Sequence, residues 1–147
     1  MKSSAAVLDA SIAAPWFLPD DAEDASDHAY AMVRRGTLSL HAPDLWLWEC
    51  GNIVASAVKR RRLSIDDAKL AWSALEAIRP RITLQPQETG HVSSALKLAL
   101  DHRLSIYDAA YLLLASSLSL PLLTADRALR RAAKAHGVAT LSIRDLA

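Results

Sequence analysis

Four acidic residues occupy positions where a carboxylate needs a reason. Asp9 follows at once on the apolar run Ala5-Ala6-Val7-Leu8, and Asp126 stands two residues past Pro121-Leu122-Leu123-Thr124. Asp108 opens a stretch, Ala109–Ser117, that is almost wholly apolar. Glu49 lies inside Leu45–Val58, whose other polar groups are Asn52, Ser56 and the tryptophan N–H donors. An ionised carboxylate taken out of water costs roughly several kcal/mol unless it is paired or metal-bound. Several carboxylates converging on one place repel and raise one another's proton affinity, which is tolerable when cations sit among them. Hard oxygen donors without His or Cys clusters select Mg²⁺ or Mn²⁺ over zinc. Such ions serve phosphate chemistry: they polarise phosphoryl oxygens, generate hydroxide from water and stabilise the leaving oxygen.

Each acid also has a purely structural reading. Asp9 and Asp126 can cap the helices that follow them. Asp108 matches the fourth position of a capping box opened by Ser105. Glu49 can pair with Asn52, three residues on and on the same helical face, in a buried hydrogen bond. The structural readings suffice for Asp9, Asp108 and Asp126 one by one, while Glu49 is harder to dismiss; the joint occurrence favours a shared site.

The elements around these acids must bring them together. Ala5–Leu8, Leu38–His41, Arg81–Leu84, Pro121–Thr124 and Val138–Leu141 read as short buried strands. A helical turn is expected at Ile12–Leu18, broken near Pro19, and a helix at Ala22–Arg35, stopped by Gly36. Further helices are expected at Leu45–Arg60, from Ser64 to about Ile78, at Glu88–His102, from Ser105 through Ser117, and at Asp126–His136 before Gly137. Strands alternating with helices predict an α/β domain with a mostly parallel sheet. Ligands of such sheets gather beyond the carboxyl ends of the strands, the edge from which Asp9 and Asp126 would project.

Composition narrows the class. With 147 residues, 52% hydrophobic and 22% charged, the sequence suits one domain over residues 1–147 and argues against disorder. A single Cys excludes an intramolecular disulfide framework and a Cys-cluster metal site. No run approaches the roughly 20 apolar residues of a membrane helix, and Ala5–Leu8 is too short for a signal peptide, so a cytoplasmic location without membrane contact is expected. The net charge of +1 hides segregation: residues 1–30 are net acidic, 31–62 and 102–147 net basic. Asp20, Asp21, Glu23, Asp24 and Asp27 read as a solvated loop and helix start.

Four motifs in order resemble those of PIN-domain ribonucleases, and specifically the VapC-type toxins of bacterial toxin–antitoxin pairs. Val7-Leu8-Asp9-Ala10-Ser11 with Trp16-Phe17 resembles the opening strand and first acid of that family. Pro43-Asp44-Leu45 leading to Glu49-Cys50-Gly51-Asn52 resembles its Glu-x-x-Asn helix. Leu104-Ser105-Ile106-Tyr107-Asp108-Ala109 resembles the third-acid motif, and Pro121-Leu122-Leu123-Thr124-Ala125-Asp126 the fourth. The resemblance implies a PIN-like parallel sheet of about five strands flanked by helices, with Asp9, Glu49, Asp108 and Asp126 around one or two Mg²⁺ (or Mn²⁺) ions. It implies Ser11, Asn52 and Thr124 as residues orienting those carboxylates or their waters. It further implies hydrolysis of RNA phosphodiesters, a cognate antitoxin that blocks the acidic site, and a homodimer.

Two basic surfaces are candidates for RNA contact: Lys59 and Arg60 in the run Lys59–Arg62, and Arg127, Arg130, Arg131 and Lys134 near the C-terminus. The first is equally explained as the cationic end of a helix. Trp46 and Trp48 lie in the apolar helix and read as core or interface rather than base-stacking residues. The five His residues show no ligand spacing, and Ser11 has no His placed beside it for a nucleophilic triad. Two other readings remain open: an RNA-processing PIN nuclease without an antitoxin, and a non-catalytic α/β binding module whose acids are helix caps. A phosphoacceptor receiver domain is disfavoured, because Thr124-Ala125-Asp126 has no Lys in the place that chemistry needs.

Overall fold

The computed structural model describes residues 4–18 and 24–146. Five strands, β1 (Ser4–Leu8), β2 (Leu38–Pro43), β3 (Ile82–Gln85), β4 (Leu122–Leu123) and β5 (Thr140–Leu141), form one sheet in the order β3-β2-β1-β4-β5. All four pairings are parallel, with Val7 beside both His41 and Leu122. Among the described residues seven α-helices flank the sheet: α1 (Ala10–Phe17), α2 (Asp24–Arg35), α3 (Leu45–Lys59), α4 (Ile65–Ile78), α5 (Thr89–His102), α6 (Ile106–Leu118) and α7 (Arg127–Ala135). The expected α/β class and five-strand parallel sheet are therefore observed. The acidic stretch Asp20, Asp21 and Glu23, and the expected start of its helix at Ala22, lie outside the described residues.

Strand order carries the functional consequence. From β1 the chain builds outward through β2 to β3, then returns to the other side of β1 for β4 and β5. The order reverses between β1 and β4, and the crevice outside the carboxyl ends of two such strands is where open α/β sheets bind ligands. The two last strands are shorter than the apolar runs Pro121–Thr124 and Val138–Leu141 suggested. Only Leu122–Leu123 and Thr140–Leu141 enter the ladder, which leaves Thr124 just past the sheet with its side chain available for other partners.

Local chemistry explains the helix boundaries. Ser64 and Ser105 each accept a hydrogen bond from the backbone N–H three residues on, capping α4 and α6. Gly36 and Gly137 take positive φ where α2 and α7 end. Pro15 lies inside α1 and supplies no N–H to its ladder. The core is built from β1, β2 and β4 together with α6, whose Ala109, Ala110, Tyr111, Leu112, Leu114 and Ala115 are all buried. On α3, Trp46 is fully buried and Trp48 is 84% exposed. Two residues along a helix turn about 200° around its axis, so the two rings face opposite ways. Among the described residues no helix is long and apolar enough to cross a membrane.

Candidate active site

Asp9 sits at the switch point. Its backbone N–H donates to the Leu123 carbonyl at 3.0 Å, locking the end of β1 to the end of β4. The residue is 5% exposed and occupies the N-cap of α1, yet its side chain makes no capping bond. The capping explanation for Asp9 therefore does not hold. Instead Oδ2 accepts two hydroxyl hydrogen bonds, from Ser11 Oγ at 2.8 Å and Thr124 Oγ1 at 2.7 Å. Thr124 is fully buried, and its Oγ1 accepts from the Asp126 N–H at 3.0 Å while donating to Asp9, which uses both capacities of a hydroxyl. The Thr124 carbonyl accepts from Arg130 Nε and Nη2, both at 3.1 Å. Asp126 caps α7 through Oδ1, accepting from the Leu129 N–H at 2.8 Å. Its structural reading is thus correct for one oxygen.

Asp108 and Glu49 come from helices. The Ser105 half of the expected capping box is present, with Asp108 N–H donating to Ser105 Oγ at 3.1 Å. The Asp108 carboxyl is held above the usual carboxylate range, first by burial, then by the charges of Asp9 and Asp126. Glu49 is half-buried, and burial, followed by the charge of Asp9 and to a smaller degree that of Asp108, pushes its pKa up to about 7. What opposes these shifts is a hydroxyl, Ser105 in one case and Tyr111 in the other, rather than a cationic side chain. Tyr111, fully buried, donates from its hydroxyl to Glu49 Oε2 at 3.2 Å. Burial and the neighbouring charges of Glu49 and Asp9 raise the Tyr111 hydroxyl, so it stays a donor. Burial likewise raises the Cys50 thiol, helped by Glu49 and Asp9, which makes it an inert core residue rather than a nucleophile.

Four carboxylates from four separate segments therefore share one electrostatic field: Glu49 feels Asp9 and Asp108, and Asp108 feels Asp9 and Asp126. They do not form a ready-made cage. Among the described residues no three His, Cys, Asp or Glu side chains are grouped closely enough to hold a metal ion.

The other expected residues divide. Ser11 and Thr124 contact Asp9 directly. Asn52 is exposed, and Glu49 accepts instead from Tyr111, so the buried Glu49–Asn52 pair does not form. Tyr111 escaped notice as a core residue in an apolar run; its signal was the three-residue spacing from Asp108, which puts both on one face of α6. Arg127 and Arg131 are exposed and four residues apart on α7, hence on one face beside Asp126. Arg130 is engaged with Thr124. Lys59 and Arg60 lie ten and eleven residues past Glu49 on α3, about 15 Å further along its axis and away from the acids.

Glu49 also opens onto a cleft of about 400 Å³ lined by Leu45, Trp48, Asn52, Ile53 and Tyr107.

A profile of the PIN domain matches residues 6–135. Ribonuclease VapC3 of Pyrobaculum aerophilum is 29% identical over 127 residues, covering 84% of this chain and 90% of the relative. The crystal structure of PAE2754, from the same organism, superposes with a TM-score of 0.71 at 23% identity, covering 98% of this chain and 93% of that one.

Proposed function

The chain belongs to the PIN-domain family, and from that premise we propose that it is a divalent-metal-dependent endoribonuclease, a VapC-type toxin held in check by a cognate antitoxin. One observation carries the reading: Glu49 feels the charges of Asp9 and Asp108, Asp108 feels those of Asp9 and Asp126, and hydroxyls rather than cationic side chains temper the shifts at Glu49 and Asp108.

The donor set fits Mg²⁺ or Mn²⁺. All four side chains offer hard oxygen, and Mg²⁺ needs only one or two carboxylates because it keeps several waters. Asp9 and Asp108 are the direct ligands in this reading, with Asp126 and Glu49 completing the set directly or through water. A bound ion of this kind supplies positive charge to phosphoryl oxygens and makes water a stronger nucleophile at neutral pH. The chain's own residues provide the positioning. Ser11 and Thr124 hold one oxygen of Asp9, and Tyr111 holds one oxygen of Glu49. Arg130 and the α7 cap keep Thr124 and Asp126 in register. Arg127 and Arg131 present cations to the RNA backbone from the face of α7 beside Asp126, whereas Lys59 and Arg60 stand at the far end of α3. An antitoxin arginine would satisfy the same carboxylates, since a guanidinium matches them bidentately. A homodimer in the cytoplasm completes the proposal.

Calorimetric titration with Mn²⁺ and a cleavage assay on single-stranded RNA test this reading. Asp9→Asn and Asp108→Asn are each expected to remove Mn²⁺ binding and to lower cleavage by about 1000-fold, since metal polarisation of a phosphoryl oxygen is worth several kcal/mol. Unchanged Mn²⁺ binding and cleavage in both variants would overturn the assignment of these acids, and a wild-type chain that neither binds Mn²⁺ nor cleaves RNA would leave a non-catalytic module, for which the Asp126–Leu129 cap is the existing support. Cleavage that persists in the presence of the protein encoded by an adjoining small reading frame would favour the RNA-processing nuclease.

A further inference from the structure

The cleft beside Glu49 is walled by two aromatic rings that the fold leaves in solvent. Trp48 is 84% exposed and Tyr107 58% exposed, in a chain whose Trp46 and Tyr111, two and four residues away on the same helices, are fully buried. Each exposed ring immediately precedes an acid of the site: Trp48 is followed by Glu49, and Tyr107 by Asp108. Both rings, from α3 and from α6, line the same cleft with Leu45, Ile53 and the exposed amide of Asn52.

We propose that this cleft is a nucleobase subsite: Trp48 and Tyr107 stack on one unpaired base of the RNA, and the Asn52 amide hydrogen-bonds that base's edge. The inference rests on the nuclease reading and deepens it by naming what holds the substrate beside the acids. Sequence-selective RNA recognition targets unstacked bases, which are laid on aromatic faces and read along their edges. The features here match those needs separately. Flat rings supply the stacking surface, aliphatic Leu45 and Ile53 an apolar lining, and an amide both a donor and an acceptor. Glu49 in the same wall disfavours a phosphate in the cleft but tolerates a neutral base, and accepts from its N–H groups. The adjoining wider trough between α3 and α4 shares Trp48 and Asn52 with this cleft and adds Leu47, Gly51, Ala55 and Trp72, but it contains neither Glu49 nor Tyr107, so a peptide partner suits the trough and a base suits the cleft.

Steady-state cleavage of a short single-stranded oligoribonucleotide in Mn²⁺, with the cut positions mapped, tests the subsite. Trp48→Ala and Tyr107→Ala are each expected to raise KM roughly tenfold, within the range that base–aromatic stacking supplies. Calorimetric Mn²⁺ affinity should stay at the wild-type value. Asn52→Ala should relax the preference for the base at the cut site. Leu100→Ala, which removes a 72% exposed side chain on α5, should change none of these. If the Trp48→Ala, Tyr107→Ala double variant cleaves with unchanged KM and unchanged cut positions, the subsite is overturned while the nuclease reading stands, and the exposed rings face a protein instead. If the wild-type chain neither binds nor cleaves RNA, both fall together.

Discussion

The two halves of the acid site are built differently. On the strand side, Asp9, Ser11, Thr124, Asp126 and Arg130 are interlocked by hydrogen bonds that run from β1 through β4 to α7. On the helix side, Glu49 and Asp108 stand on α3 and α6, joined by a single long hydroxyl contact from Tyr111 to Glu49. The strand side holds its carboxylates in place by internal hydrogen bonds. The helix side holds both carboxyls at raised proton affinity, so it gains most when a cation enters. A rigid anchor beside an unsatisfied pair lets a site bind a divalent ion without first losing its shape.

The largest break in this contrast comes from Thr124→Val. The substitution keeps the shape but removes a donor to buried Asp9 and an acceptor for the Asp126 N–H. It is expected to cost about 1–3 kcal/mol in urea denaturation. Cleavage should fall about 10- to 100-fold, as for the loss of a residue that orients a metal ligand.

Glu49→Gln probes the helix side through pH. In the metal-free protein the Glu49 pKa is raised from 4.5 to about 7 on folding. Between those values the folded state keeps a proton that the unfolded chain has released, so stability conferred at low pH is lost as pH rises through the window. The wild type should therefore lose on the order of 1 kcal/mol relative to Glu49→Gln between pH 4.5 and 7.5, a figure discounted for the half-exposed position of the side chain. Urea titrations of both proteins check it, and Mn²⁺ should abolish the difference at the upper pH.

Tyr111→Phe is the mildest probe. It removes one hydroxyl from a buried ring and is expected to cost about 1 kcal/mol or less. The loss should be greater above pH 7, where Glu49 is ionised and its accepted bond charge-assisted. A loss as large as that of Thr124→Val would mean that the two halves are equally interlocked.

Much of this arrangement was legible along the chain, for definite reasons. An apolar run short enough for a strand and ended by Asp9 places that residue at a strand's carboxyl end whatever the rest of the fold does. Ser105 three residues before Asp108 marks a helix start by backbone hydrogen bonding alone. Glu49 in an apolar helix signals a desolvated charge from its neighbours in sequence. Other roles left no such local trace. Arg130 reads as one more cation of a basic helix until Thr124 is brought beneath it. Trp46 and Trp48 read alike, as core or interface, although the two rings face opposite ways on α3 and only Trp46 is buried.

The amino-acid order by itself determined which segments become strands and helices and which carboxylates stand at their ends, because those outcomes follow from periodicity, capping and the cost of burying charge. Tertiary structure alone decided that Thr124 and Ser11 converge on a single oxygen of Asp9 and that Tyr111 reaches across from α6 to Glu49. These are contacts between residues up to 115 positions apart, and they exist only once parallel pairing of β1 with β4 has set the register.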